Sequence, residues 1–216
     1  MQPNPSSAEQ LHHIKNMMER SSRFISLSGL SGVGAGICAI AGAWYASGML
    51  ECHALFSCSL NDIIKAGGYA VIHKLLWIAA FTFAAAFISA FLFTWSRSKK
   101  LNTPIMSSVT YRLFTAMAIP LAAGAVFLLR LIHLGMFDMI SPGSLIFYGL
   151  ALISASRYTV REIKYLGYAI LMIGVVNLYF AGYGIFFWIL GFGILHIVYG
   201  IVMWWKYEKD QPGSTE

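Results

Sequence analysis

MMERSSRFISLSGLSGVGAGICAIAGA, residues 17–43, runs from a charged amphipathic segment directly into an apolar helix lined on one side with Ser and Gly. From Phe24 to Leu50 there are 27 residues without a charge, more than the roughly 20 that cross about 30 Å of hydrocarbon at about 1.5 Å per residue. Ser28, Gly32 and Gly36 fall four apart and so share a face. Small residues on such a face let a second helix backbone come close, which is how helices associate where lipid removes the hydrophobic drive. The face is therefore expected to pack against protein. The alternative, a polar path lined by Ser26, Ser28 and Ser31, competes with the ordinary habit of membrane serines, which bond to their own preceding turn or across an interface.

Composition extends this reading to the whole chain. Its 216 residues are 58% hydrophobic and only 11% charged, against roughly a quarter charged in soluble proteins. No stretch is long and polar enough for a separate soluble domain, so any site must lie in the membrane domain or its short loops. A charged head before an apolar run can also be a cleaved signal peptide. Here the apolar run far exceeds the usual h-region of about 7–15 residues, so a retained signal anchor is expected.

The run MERSSRFISLSGLSG, residues 18–32, resembles the opening of a family of small polytopic membrane proteins of Bacteroidetes-type bacteria. The resemblance covers that segment and the hydropathy layout. It implies a bacterial inner membrane and brings no activity with it.

Taken in order, the chain divides into a polar tail and amphipathic interfacial helix (1–23), a six-helix transmembrane domain (24–207) and a polar C-terminal tail (208–216). Leu11, Ile14, Met17 and Met18 give the first part an apolar side, suited to the headgroup layer or to a cytoplasmic partner. After a loop, LECHALFSCSLNDIIKAGG, the second span covers about 69–95 and ends in SRSKK. The third covers about 113–134 and contains Pro120. Ser141 and Pro142 read as the cap and first position of a short fourth helix, about 142–156. The fifth span, about 163–181, carries Gly167 and Gly174 seven apart, and the sixth, about 185–205, repeats the spacing with Gly193 and Gly200. Both are expected to be close-packing faces. Trp204, Trp205 and Lys206 then mark an interface.

Orientation follows from the cations. Lys15, Arg20, Arg23, Arg97, Lys99, Lys100, Arg112, Arg157, Arg161, Lys164, Lys206 and Lys209 fall on one side of a six-span arrangement, leaving Lys65, Lys74 and Arg130 on the other. The positive-inside rule puts the first side, with both termini, in the cytoplasm. The net charge of +6 thus reflects cytoplasmic loops, and no nucleic-acid partner is implied.

Side chains able to form a site gather on the outward face. Glu51, Cys52, His53, Cys58 and Asp62 lie in the first loop, His73 and Lys74 just inside the second span, and Arg130, His133 and Asp138 around the third. In an oxidising compartment Cys52 and Cys58 are read first as a disulfide. A metal set with His53 and His73 or His133 is the weaker alternative, because the spacing matches no compact zinc pattern. His73 and His133 could instead hold a b-type haem between two helices. Lys74 and Arg130 are expected to snorkel, or, with His73 and His133, to face an anion. His196 is the ionisable residue in mid-span, expected to be neutral and bonded to a carbonyl, to Asn177 or to a tyrosine, with a proton relay as the sharper alternative. All nine acidic residues fall in loops, tails or helix ends, which counts against a coupled transporter built on a membrane carboxylate. Motifs for nucleotide, zinc-hydrolase or serine-hydrolase chemistry do not occur.

The sequence therefore reads as an all-α membrane protein, non-enzymatic, with no cofactor or resident metal. It is expected to act through the lipid bilayer, a protein partner or its own oligomer as a sensor, scaffold or accessory subunit. A small transporter or channel with an outward polar vestibule is the competing reading. Single-cysteine labelling tests the topology: an impermeant thiol reagent added outside is expected to reach a cysteine placed at Asn61 and not one at Ser107, and the reverse pattern would overturn the orientation.

Overall fold

The computed structural model describes residues 28–50, 59–100 and 107–209, among which the chain is helix and turn with no strand. The interfacial helix expected at 8–23, the Cys52–Cys58 disulfide and the far C-terminal tail lie outside the described residues. The helices are α1 (Gly29–Met49), α2 (Leu60–Gly67), α3 (Tyr69–Lys100), α4 (Ser108–His133), α5 (Ile140–Ala155), α6 (Glu162–Asn177) and α7 (Gly184–Tyr207). Five segments are long and apolar enough to cross a membrane: Gly29–Met49, Ala70–Lys100, Ser108–His133, Phe137–Ala155 and Gly184–Tyr207. α6, where the fifth span was expected, has 16 residues.

Several boundaries differ from expectation for local reasons. The stretch read as a loop after α1 contains α2, whose start is capped from elsewhere: the Leu60 amide donates to Asp138 Oδ1 at 2.8 Å, and Asn61 Oδ1 accepts from the Phe137 amide at 2.9 Å. Ile64 of α2, Ile72 of α3 and Phe137 bury one another beneath it. Ser141 and Pro142 are not the cap and first position of α5. A 3-10 turn at Phe137–Met139 leads straight into the helix at Ile140, and the Ser141 hydroxyl is committed to a neighbouring segment. The fifth span ends at Asn177, four residues before the expected end, where Leu178–Tyr183 folds into successive turns closed by Gly182 at φ +87°. α3 continues to Lys100, with Arg97 and Ser98 buried and Arg97 paired with Glu208. Pro120 sits inside an unbroken α4.

Close approach between antiparallel helices sets the architecture. α1 lies between α3 and α7, α7 also packs on α6 and α5, α5 and α6 form a second extensive pair, and α4 flanks α5. Along α1 and α7 the partners run in opposite directions: Gly29 abuts Gly200 and Trp204, Gly32 abuts the His196 carbonyl and Gly200, and Gly36 abuts Gly193. A methyl at Gly200 would stand 2.5 Å from the Gly29 carbonyl oxygen and 2.6 Å from the Val33 amide. The expected face of α1 is thus turned to protein, with Gly29 making the tightest approach and Ser28 buried at the helix start. On the other side of α1, Gly34 meets Ser89 and Gly42 meets Thr82 of α3. Gly167 lies against Gly149 and Ile153 of α5, and Gly174 against Ile146, so α6 runs antiparallel along α5. Leu145, Leu152, Ile163, Leu166, Ile170 and Met203 fill the space between α5, α6 and α7.

These seams make unequal demands on glycine. Gly200→Val is expected to lower the unfolding free energy in detergent by about 1–3 kcal/mol through overpacking. At Gly48 a Cβ meets nothing within 4 Å, so Gly48→Ala should be neutral or stabilising by up to about 1 kcal/mol from helix propensity. Equal effects at the two positions would contradict the seam.

Candidate functional site

α7 does not run as a regular helix through the bundle. Residues Ile189–Ile194, ILGFGI, form a π segment, and Gly191 and Gly193 within it are buried against Leu145 and Ile40. The wider turn leaves the Gly191 carbonyl oxygen 3.0 Å from Nδ1 of His196, five residues on. A carbonyl only accepts, so Nδ1 carries the proton in this pair and Nε2 presents a lone pair. That lone pair faces the Tyr148 hydroxyl of α5, which donates to it at 3.0 Å. His196 is buried, and Phe192 packs with both rings. Of the partners expected for His196, the structure pairs it with a carbonyl and a tyrosine; Asn177 is engaged elsewhere.

From His196 a stripe descends α7 at helical spacing through Tyr199 and Met203 to Tyr207. Tyr199 and Tyr148 flank the same buried apolar cluster. The Tyr199 hydroxyl is fully buried and has no hydrogen-bond partner, and the same holds for Oε2 of Glu162 at the start of α6. The other oxygen of Glu162 accepts from Lys206 and, at 2.9 Å, from the Tyr207 hydroxyl. Buried polar groups thus punctuate the apolar core between α5, α6 and α7, with Glu162 at one end, Tyr199 between, and His196 with Tyr148 deep inside. Toward the opposite end the polar groups close on themselves: Asn177 Nδ2 donates to Ser141 Oγ at 3.0 Å, and that hydroxyl donates to the Gly184 carbonyl at 2.8 Å.

A second polar junction ties three helix ends at the Glu162 end of the bundle. Glu208, just past α7, accepts from the Gly29 amide and the Ser28 hydroxyl at the start of α1 and pairs with Arg97 near the end of α3. Arg97 also reaches the Tyr207 carbonyl. A carboxylate at an N-terminus satisfies orphan amides and meets the positive end of the helix dipole.

The outward residues singled out from sequence are placed differently. His73 and Lys74 on α3 and Arg130 on α4 are exposed and make no hydrogen bond or ion pair among the described residues. His133 is exposed too, its Nδ1 3.1 Å from the Leu129 carbonyl of its own helix. Asp138 is turned to α2, where its oxygens accept from Leu60 and Ser59. Among the described residues the five make no bond to one another, although Ile72, Ile132 and Phe137, their chain neighbours, share one apolar cluster. Among the same residues no three His, Cys, Asp or Glu side chains lie together as a metal set. Cys38 is a half-buried free thiol within α1.

Sequence reasoning found His196 and Asn177 but missed Tyr148, Tyr199, Glu162 and the Arg97–Glu208 junction. The spacing of His196, Tyr199, Met203 and Tyr207 along α7 was the available signal. Nothing local marks Tyr148 or Glu208. No protein family, curated protein or solved structure matches the chain.

Glu208→Ala would leave the buried Arg97 guanidinium uncompensated and is expected to cost about 3 kcal/mol of stability. Combining Arg97→Met with Glu208→Leu should recover most of that loss, and a double variant as unstable as the single one would show that the pair is not what joins these ends.

Proposed function

We propose that the chain is a six-span bacterial inner-membrane protein with both termini in the cytoplasm, and that it works without catalysis, through contacts with lipid and protein, as a sensor, scaffold or accessory subunit. The observation that carries this reading is the surface of α3. Trp77, Phe81, Phe83, Phe87, Phe91 and Trp95 are all exposed along it, and its most apolar stretch has no buried residue. Exposed aromatic surface of that extent belongs against acyl chains or another membrane helix.

The six-span count draws support from α6. Though short, it runs alongside α5 from the Asn177–Ser141 bond at one end to the Gly167–Ile153 contact at the other, so it reaches across the depth that α5 covers. The orientation draws support from the two carboxylate junctions. Glu208 gathers the start of α1 and the ends of α3 and α7, and Glu162 joins the start of α6 to the end of α7. These are ends that six alternating passes place on one side, and the cation-rich loops flank them. The resemblance of residues 18–32 to small polytopic proteins of Bacteroidetes-type bacteria agrees with an inner-membrane location.

Proteoliposomes of the full chain separate this reading from a transporter. They are expected to pass potassium and phosphate no faster than protein-free vesicles. A flux that Arg130→Ala or His133→Ala abolishes would replace the proposal with the vestibule reading.

A further inference from the structure

We propose that α5, α6 and α7 hold a proton-binding site, in which His196 is charged from the face that carries Glu162, by way of Tyr199 and Tyr148. The site is defined relative to Glu162 and does not rest on the orientation proposed above.

Four observations combine. First, the tautomer imposed by Gly191 leaves the basic Nε2 of His196 aimed at an exchangeable hydroxyl, that of Tyr148. An ionisable group at this depth is costly to place, and packing alone would be better served by an apolar ring. Second, two buried oxygens on the way, Tyr199 OH and Glu162 Oε2, lack partners. Buried polar atoms are rarely left so, and water is the small partner that joins such groups. Third, Tyr199 lies within electrostatic range of Glu162, Tyr207 and Tyr148. His196 and Tyr207 are eleven residues apart, about 16 Å of helix axis. Side chains on a helix lean toward its N-terminus, so both tyrosines of α7 lean from the Glu162 end toward His196.

Fourth, the surroundings are asymmetric. The elements around His196 present Tyr148 from α5, Tyr199 from α7 itself and the uncharged glycines 32 and 36 from α1, while α6 brings Glu162 only at its start, within range of Tyr199. The charged residues of these four helices are Glu162, Lys164 and Lys206, all at one end. At the other end Asn177 and Ser141 form a closed, neutral set of bonds. Charged groups therefore approach His196 from one end only, as expected of a site and not of a channel.

The step balances without a further reactant. A proton from bulk water arrives at the Glu162 carboxylate and passes through water to Tyr199, whose oxygen receives it while its own proton moves on. Tyr148 hands its hydroxyl proton to Nε2 and regains one from Tyr199 through a second water. Both phenols end neutral, and the net change is one proton on the imidazole. The new Nε2–H then donates to the Tyr148 oxygen, which reverses the hydrogen bond linking α5 to α7 beside the π segment. His196 thereby reports the acidity of one membrane face to the packing of the bundle.

The test uses the full chain in phosphatidylcholine vesicles, with His12, His13, His53, His73 and His133 replaced by Gln so that the infrared ring bands report His196 alone. Lowering the pH from about 8 to about 4, a range that runs well below ordinary histidine titration, on the Glu162 face is expected to convert the neutral ring to imidazolium. The same jump on the opposite face should not. Tyr199→Phe and Glu162→Gln are each expected to slow charging by about tenfold or more, the scale of a lost proton-transfer group. A ring that stays neutral at the lower pH in folded protein, charging that is equal from both faces, or wild-type rates in both variants would overturn the proposal. If either variant fails to fold, the sidedness measured on the parent decides the matter.

Discussion

Backbone pressed against backbone along α1 and α7 is the constraint on which the rest of the bundle depends. In lipid there is little to gain from hiding apolar side chains, so helices are held by dispersion over closely fitted surfaces. Glycine permits that fit at Gly29, Gly32 and Gly36 on α1 and at Gly193 and Gly200 on α7. With α1 fixed there, α3 is carried on its far side through Gly34 and Gly42. The same seam sets the rotation of α7. Because the His196 carbonyl and Gly200 face α1, the His196 side chain is turned into the space shared with α5.

The π segment adds what a regular helix could not. One extra residue in the turn shifts the phase of everything after it and frees a carbonyl to accept from a side chain five residues later. Such segments recur at functional positions because a local insertion re-aims side chains without ending the helix. Here it gives His196 a fixed tautomer and so determines which nitrogen meets Tyr148.

Charge is handled by a different rule at the end where α1 and α6 begin and α3 and α7 finish. Two carboxylates, Glu162 and Glu208, each serve more than one helix, with Lys206, Tyr207 and Arg97 as partners. Carboxylates near helix starts and cations near helix ends suit the backbone dipoles. The arrangement joins the α1–α7 seam to α3 on one flank and to α6 on the other, and it leaves one oxygen of Glu162 buried without a partner.

What the sequence by itself determined was the material and the faces. Membrane-length apolar runs, glycines at spacings of four and seven and a mid-span histidine all follow from local periodicity, because one helix's own geometry decides which residues share a side. Tertiary structure alone decided which faces meet. It set Asn177 against Ser141 instead of His196, spent Asp138 on the start of α2, and left His73, Lys74, Arg130 and His133 exposed, with no bond between them. Tyr148 and His196 stand 48 positions apart and Arg97 and Glu208 stand 111 apart. No spacing rule reaches across such separations, since the contact exists only once close-packed glycines have chosen each helix's neighbour and its rotation.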